Sequence, residues 1–141
     1  QLLDVKPLQK VLEVGTGSGY QAAVLAAMGA KVFTIERHRE LFLNARALLA
    51  ELGYSIEFFY GDGYKGVPSY APFDRILITA GAPEIPQSLL KQLKIGGVMV
   101  VPLGGSGGQK MLKIIKKDEH EYERSEHGSF IFVPMLKGKD R

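Results

Sequence analysis

Glu13 stands two residues ahead of Gly15 in the run Val11-Leu12-Glu13-Val14-Gly15-Thr16-Gly17-Ser18-Gly19-Tyr20, where an apolar stretch delivers one acid and three alternate glycines into the start of a helical segment. Glycine is needed where a backbone turns tightly or approaches a ligand with no Cβ in the way. Unpaired amides at the helix start then favour negative or polar ligand groups. The run reads as a ligand-binding loop, although Thr16 and Ser18 have the plainer use of satisfying helix-end amides. Two further acids sit at comparable places. Glu36 ends a second apolar run with Arg37 beside it, and Asp62 lies between Gly61 and Gly63 after a third.

A dinucleotide is the first ligand such a loop suggests, but its fingerprint is Gly-x-Gly-x-x-Gly. Counting from Gly15 puts Tyr20 where the third glycine belongs. A carboxylate at Glu13 would also oppose a pyrophosphate, whereas it suits a ligand carrying an ammonium group. S-adenosylmethionine carries one. Glu36 lies about 20 residues beyond the loop, the spacing of an acid that accepts hydrogen bonds from ribose hydroxyls, which either ligand offers. Asp62 can accept from an adenine amino group. Taken singly these features are weak, since Asp-Gly is a common turn. Their fall at the ends of successive expected strands draws them to one cleft.

The elements that must position these residues alternate. Residues 10–14 read as a buried parallel strand, 19–28 as an Ala-rich helix, 31–35 as a strand, and 38–52 as a helix with Leu41, Ala45, Leu48, Leu49 and Leu52 on one face and Gly53 as its stop. Strands at 56–60 and 73–79, a helix at 86–93 and a strand at 98–103 opened by a Gly96-Gly97 turn continue the pattern. This alternation predicts an α/β fold, a doubly wound, mostly parallel Rossmann-like sheet. After Gly104, Gly105, Gly107 and Gly108, strands at 111–117 and 129–135 with no helix between them predict an antiparallel edge hairpin. The charged run 116–126 is expected to be a solvated turn and outer face.

Composition narrows the chemistry. The 141 residues are 45% hydrophobic and are expected to form a single domain, 1–141. Cysteine is absent, which excludes thiolate catalysis, disulfides and zinc-thiolate sites. His38, His120 and His127 have no metal-like spacing and are expected at the surface, so no metal is expected. The formal charge of +3 is spread among acids, giving no sign of a nucleic-acid partner. No apolar run approaches the roughly 20 residues of a membrane span, and the first residues do not read as a basic-then-apolar leader. The cytoplasm is the expected compartment. The chain opens on Gln1 rather than Met, and a preceding N-terminal segment is expected to be missing.

Methyl transfer from a sulfonium is a displacement that needs alignment and the exclusion of water more than it needs a base. Several amine methyltransferases hold their acceptor after the fourth strand with Asn or Asp followed by Pro-Pro-aromatic. Here the equivalent stretch is Thr79-Ala80-Gly81-Ala82-Pro83, with no side-chain amide or acid. Such a loop suits an acceptor that is already an anion, such as a carboxylate.

Gly15 to Gly19, the stretch from Phe73 to Pro83, the Gln92-Leu93-Lys94-x-Gly96-Gly97 segment, Val101-Pro102-Leu103-Gly104 and the late Phe132-Val133-Pro134 together resemble the protein-L-isoaspartate (D-aspartate) O-methyltransferase family over nearly the whole chain. The resemblance implies transfer of the methyl of S-adenosyl-L-methionine to the α-carboxylate of L-isoaspartyl residues in damaged proteins, a repair reaction. It implies that Glu13, Gly15, Thr16, Gly17, Ser18 and Gly19 surround the methionine part of the cofactor. Glu36 with Arg37 would hold the ribose, and Asp62 with Gly63 the adenine. Ala80, Gly81, Ala82, Pro83, Val133, Pro134, Met135 and Leu136 would border the substrate peptide. The family's Ser or Thr in a Ser-x-Pro segment is absent, so no catalytic residue is expected within this chain. The implied partners are isoaspartyl-containing proteins and peptides, with no nucleic acid and no membrane, met by a monomer.

Three rivals stay open. Another methyltransferase of the same fold would want a basic substrate face or a polar loop after the fourth strand. A nicotinamide-dependent oxidoreductase is disfavoured by Tyr20 and Glu13. A non-catalytic module that binds the cofactor gains weight from the absent upstream segment.

Overall fold

Short runs of Val, Ile, Leu and Phe alternate with helices along the chain, and in the computed structural model they pair side by side into one sheet. The structure describes residues 3–104 and 108–130, with side chains described through 127. In chain order the elements are β1 (Lys10–Val14), α1 (Tyr20–Ala27), β2 (Lys31–Glu36), α2 (Arg39–Glu51), β3 (Ile56–Tyr60), β4 (Phe73–Ile78), α3 (Gln87–Lys91), β5 (Leu93–Leu103), β6 (Gln109–Lys116) and β7 (Tyr122–Phe130). The sheet order is β3-β2-β1-β4-β5-β6-β7, parallel from β3 to β5 and antiparallel for the last two strands. This is the doubly wound sheet with a C-terminal hairpin that the sequence predicts.

Both faces of the sheet are covered, which is why the central strands read as unbroken apolar runs. Successive side chains of β1 serve opposite sides, with Leu12 and Val14 in one cluster with Ile76 and Met99, and Val11 in another with Val32 and Val100. Strand order reverses between β1 and β4, and open α/β sheets form their ligand crevice at such a reversal.

Four expectations change in detail. Helix α3 is shorter than 86–93, and β5 begins at Leu93 rather than 98. The Gly96-Gly97 pair lies inside β5 as an irregularity: Gly96 has φ +85°, and the register with β4 shifts between Phe73 and Arg75. On α2 the buried residues are Ala45 and Leu49, while Leu41, Leu48 and Leu52 are exposed. Strand β7 starts at Tyr122, so much of the charged run expected as a turn is strand, and the turn is confined to 117–121. The part of the expected last strand beyond 130, together with Gly105 and Gly107, lies outside the described residues.

Two short 3-10 turns, Gly63–Lys65 and Pro68–Tyr70, connect β3 to β4 and were not expected from the sequence. Gln92 holds this connection in place. Its Oε1 accepts from the Val67 amide at 3.0 Å, and its Nε2 donates to the carbonyls of Lys65 at 2.9 Å and Ser88 at 3.2 Å. Gly66 packs so closely on Gln92 that a Cβ there would lie 2.5 Å from Oε1. Truncation by Gln92→Ala leaves the buried Val67 amide without its acceptor and should cost about 2 kcal/mol. Urea denaturation, with faster amide exchange across 63–70, would register the loss; an unchanged midpoint would refute this role for Gln92.

Candidate functional site

The glycine loop leaves β1 at the reversal point, and each of its alternate glycines adopts positive φ: +103° at Gly15, +55° at Gly17 and +91° at Gly19. Their amides turn into the protein. Gly15 N–H donates to the Ile35 carbonyl, Gly17 N–H to Glu36 Oε1 and Gly19 N–H to the Thr16 carbonyl, each at 2.9 Å. The glycines are thus required by conformation and by close packing. A Cβ on Gly15 would collide with Thr79 Oγ1, and one on Gly19 would come within 3.0 Å of Leu49 Cδ1 on α2. At Gly17 the corresponding space is open. Ser18 is exposed beside it, and the first turn of α1 carries no acid.

Glu36 is buried at the end of β2. One carboxylate oxygen accepts from Gly17 N–H and the other from His38 N–H, both at 2.9 Å. Four lone-pair positions on a carboxylate leave two for a further donor pair. Arg37 next to it is half-buried, with its Nη1 3.4 Å from His38 Nε2 and a buried Nε that has no hydrogen-bond partner.

Asp62 caps the first 3-10 turn, its Oδ1 accepting from Tyr64 N–H at 2.9 Å. With Ile35, Phe59, Tyr60, Lys65 and Val67 it lines a depression of about 560 Å³ beyond the ends of β2 and β3. That volume falls in the range of small-molecule sites. Gly63, beside Asp62, is buried.

Glu13 lies near the end of β1, beneath the glycine loop. It is fully buried, with Oε1 accepting from Thr34 Oγ1 at 2.7 Å and Oε2 lacking any partner. Thr16 Oγ1 lies 2.7 Å from Thr34 Oγ1, so the first turn of the loop closes over the carboxylate. Glu13 therefore reaches a ligand only through the loop above it. Burial pushes its carboxyl up from 4.5 to about 7, the Thr34 hydrogen bond opposes the rise and the Glu36 charge adds to it.

On the other side of the reversal, Thr79 Oγ1 is 3.0 Å from both the Val14 and Gly15 carbonyls and seals β4 to the loop. Ala82 is fully buried, with its amide donating to the Pro102 carbonyl at 2.8 Å and its carbonyl accepting from Gly104 N–H at 2.7 Å. Gly81 is buried against the Gln109 side chain. Of the eight residues expected to border a substrate, Ala80 is half-buried, and Pro83 is exposed and lines a second cleft, of about 510 Å³, with Tyr64, Glu84, Ile85, Leu103 and Arg124. Val133, Pro134, Met135 and Leu136 lie outside the described residues. The 61–66 loop contributes to both clefts, Asp62 to the first and Tyr64 to the second. Thr34, Glu84 and Arg124 were not picked out by motif: the first is a lone threonine within an apolar strand, and the other two lie in stretches with no spacing signal, while Thr79 entered only as the first residue of the 79–83 stretch, with no sign of its bonds to the loop. Among the described residues no cluster of His, Asp and Glu could hold a metal ion.

The family model for protein-L-isoaspartate(D-aspartate) O-methyltransferase matches residues 1–140. The chain belongs to this family. A protein-L-isoaspartate O-methyltransferase of Christiangramia forsetii is 52% identical over 141 residues, and one of Flavobacterium psychrophilum is 55% identical over 141 residues. In both cases the match covers 99% of this chain and 66% of the relative, so the chain spans about two thirds of their length. A solved protein-L-isoaspartate O-methyltransferase superposes with a TM-score of 0.87 at 32% identity, covering 94% of this chain and 43% of the other.

The raised Glu13 carboxyl has a stability consequence. The folded chain keeps this proton to higher pH than the unfolded chain, so the contribution is fully present below about pH 4.5 and is lost as pH rises through about 7. The fall is on the order of 3 kcal/mol. Glu13→Gln, which cannot ionise, should flatten it, so that urea midpoints at acidic and mildly alkaline pH lie closer together in the variant than in the parent. Parallel slopes would assign the ionisation to another group.

Proposed function

We propose that this chain performs S-adenosylmethionine-dependent methylation of the α-carboxylate of L-isoaspartyl residues in damaged proteins and peptides. The observation that carries the reading is the family match over residues 1–140, joined to a site whose acceptor side offers no side-chain base in the 79–83 loop. The residues fit the cofactor. Glu36 keeps two acceptor positions for ribose hydroxyls, Gly17 leaves open space where a Cβ would stand, and Asp62 lines a depression large enough for an adenine. A protein-L-isoaspartate O-methyltransferase of Plasmodium falciparum solved with S-adenosyl-L-homocysteine shares the fold at 22% identity, with a TM-score of 0.81 over 96% of this chain and 68% of that one.

When bound, the sulfonium supplies an electrophilic methyl group: a carboxylate oxygen forms the new C–O bond as the C–S bond breaks with its electron pair to sulfur, giving a methyl ester and a neutral thioether. No proton needs to move, in keeping with a loop of Ala80, Gly81, Ala82 and Pro83. The chain's own part is positioning. Gly15, Thr16, Gly17, Ser18 and Gly19 would bound the methionine portion, with Glu13 acting through the loop. Glu36 and Arg37 would hold the ribose, and Asp62 and Gly63 the adenine. Pro83 and Ala80 would meet the acceptor peptide, while Ala82 and Gly81 would shape that wall from behind. The same reading makes residues 1–141 one catalytic-fold domain working as a cytoplasmic monomer on proteins rather than nucleic acids, in keeping with its interleaved charges. No helix among the described residues is long and apolar enough to cross a membrane.

Calorimetric titration with S-adenosylhomocysteine, followed by radiolabelled methyl transfer to an isoaspartyl peptide and its aspartyl twin, tests the reading. Binding with transfer to the isoaspartyl peptide alone is expected; equal labelling of both peptides would overturn the substrate assignment, and no binding by a folded chain would overturn the cofactor. Glu36→Ala should weaken S-adenosylhomocysteine binding by about 1.5–3 kcal/mol through loss of charge-assisted hydrogen bonds. Glu36→Gln, which keeps one acceptor, should fall between. Undiminished affinity in a folded Glu36→Ala would remove the ribose assignment.

A further inference from the structure

Thr34 has no part in the scheme above, yet it is fully buried in β2 directly opposite Glu13 in the parallel register. Its neighbours along the strand, Phe33 and Ile35, are apolar core residues. A hydroxyl placed there costs stability unless it is hydrogen-bonded. Both of its bonds lead to residues of the loop and its approach: Glu13 Oε1 and Thr16 Oγ1, each at 2.7 Å.

A threonine hydroxyl has one proton to donate. Thr34 gives its proton to Glu13 Oε1 when Glu13 is ionised, so the contact with Thr16 must carry the Thr16 proton towards Thr34. Thr16 is then held as a donor into the protein interior. If Glu13 carries a proton on Oε1, the order inverts: Glu13 donates to Thr34, Thr34 donates to Thr16, and the Thr16 proton is released from the chain. Thr16 also accepts the Gly19 amide through its carbonyl, and Gly17 next to it is tied to Glu36. A change in how the Thr16 side chain is held therefore acts on the turn between two fixed points.

We infer that Thr34 is a positioning residue for the glycine loop, relaying the protonation state of Glu13 to the hydroxyl of Thr16 and thereby holding the loop in the shape that receives a ligand. The identity of that ligand as an S-adenosyl compound rests on the function proposed above; the relay does not. Burial pushes the Glu13 carboxyl up to about 7, so its ionised and protonated forms both occur near neutrality, and a proton on Oε1 is the one that reverses the chain. The groups facing Glu13 from its flanking strands are Thr34 on β2 and Leu77 on β4, Thr16 meets it through Thr34, and the charge acting on it is that of Glu36.

The test compares the parent chain with Thr34→Val, which keeps the shape and removes the hydroxyl, and Thr34→Ser, which keeps the hydroxyl. S-adenosylhomocysteine affinity is measured by calorimetry from about pH 5.5 to about pH 8.5, and the Glu13 carboxyl is followed by carbon NMR over the same range without ligand. Thr34→Val should bind roughly tenfold more weakly, and its Glu13 inflection should move to higher pH, because the bond from Thr34 holds that carboxyl down. Thr34→Ser should restore both. Parent-like affinity with an unmoved inflection in a folded Thr34→Val overturns the relay, and so does weakened binding with an unmoved inflection, which marks a purely structural role. If Thr34→Val fails to fold, Thr16→Val cuts the same chain on the loop side, and unaltered affinity there overturns the proposal. A parent chain that binds no S-adenosylhomocysteine defeats the cofactor reading, while the NMR titration still decides the relay.

Discussion

One carboxylate, that of Glu36, receives a backbone hydrogen bond on each oxygen, from Gly17 on one side and His38 on the other. It joins the glycine loop to the junction where β2 hands over to α2, and the packing around it follows. With Gly17 held, Gly19 lies under α2, where a Cβ would come within 3.0 Å of Leu49 and 3.4 Å of Ala45, a tighter fit than most side chains accept. The absent third-position glycine of a dinucleotide fingerprint is thus no defect. The helix that needs close approach here is α2, and Gly19 supplies it while Tyr20 points to solvent at 74% exposure.

Beneath the loop lies a second acid under opposite conditions. Glu36 is bonded to amides that suit a negative charge, whereas Glu13 has one hydroxyl and an orphaned oxygen. Two carboxylates on adjacent strands thereby acquire different characters from their surroundings alone. That contrast is invisible in a motif, which records both simply as acids at strand ends.

Much of the scaffold could be read from residues. The strands β1 to β3 follow apolar runs closed by glycine or an acid, β4 follows an apolar run that ends at Thr79, and α2 ends within two residues of its stop at Gly53. Strand β7 was hidden for a physical reason: 123–127 are all exposed, so no alternation of buried and exposed positions marks it. Its pairing shows instead in cross-strand ion pairs, Lys110 with Glu126 at 3.3 Å and Lys117 with Glu123 at 3.5 Å. On α2, Leu41, Leu48 and Leu52 looked like core because leucine usually is, but the buried face is narrow and takes Ala45 and Leu49. Within the site, charged and glycine positions could be found by spacing, while Thr34 could not, since a threonine in a strand is an ordinary β-former until its partner across the sheet is known.

Thr79 closes the seam at which strand order reverses, its hydroxyl set against the carbonyls of Val14 and Gly15 while Gly15 offers no Cβ to push it away. A sideways slip of β4 against β1 would break these contacts without gaining any. The floor of the crevice is accordingly preorganised, as is the 61–66 turn beside it, which Gln92 ties down through Val67 and Lys65. Association then carries a small entropic cost on the side of the protein.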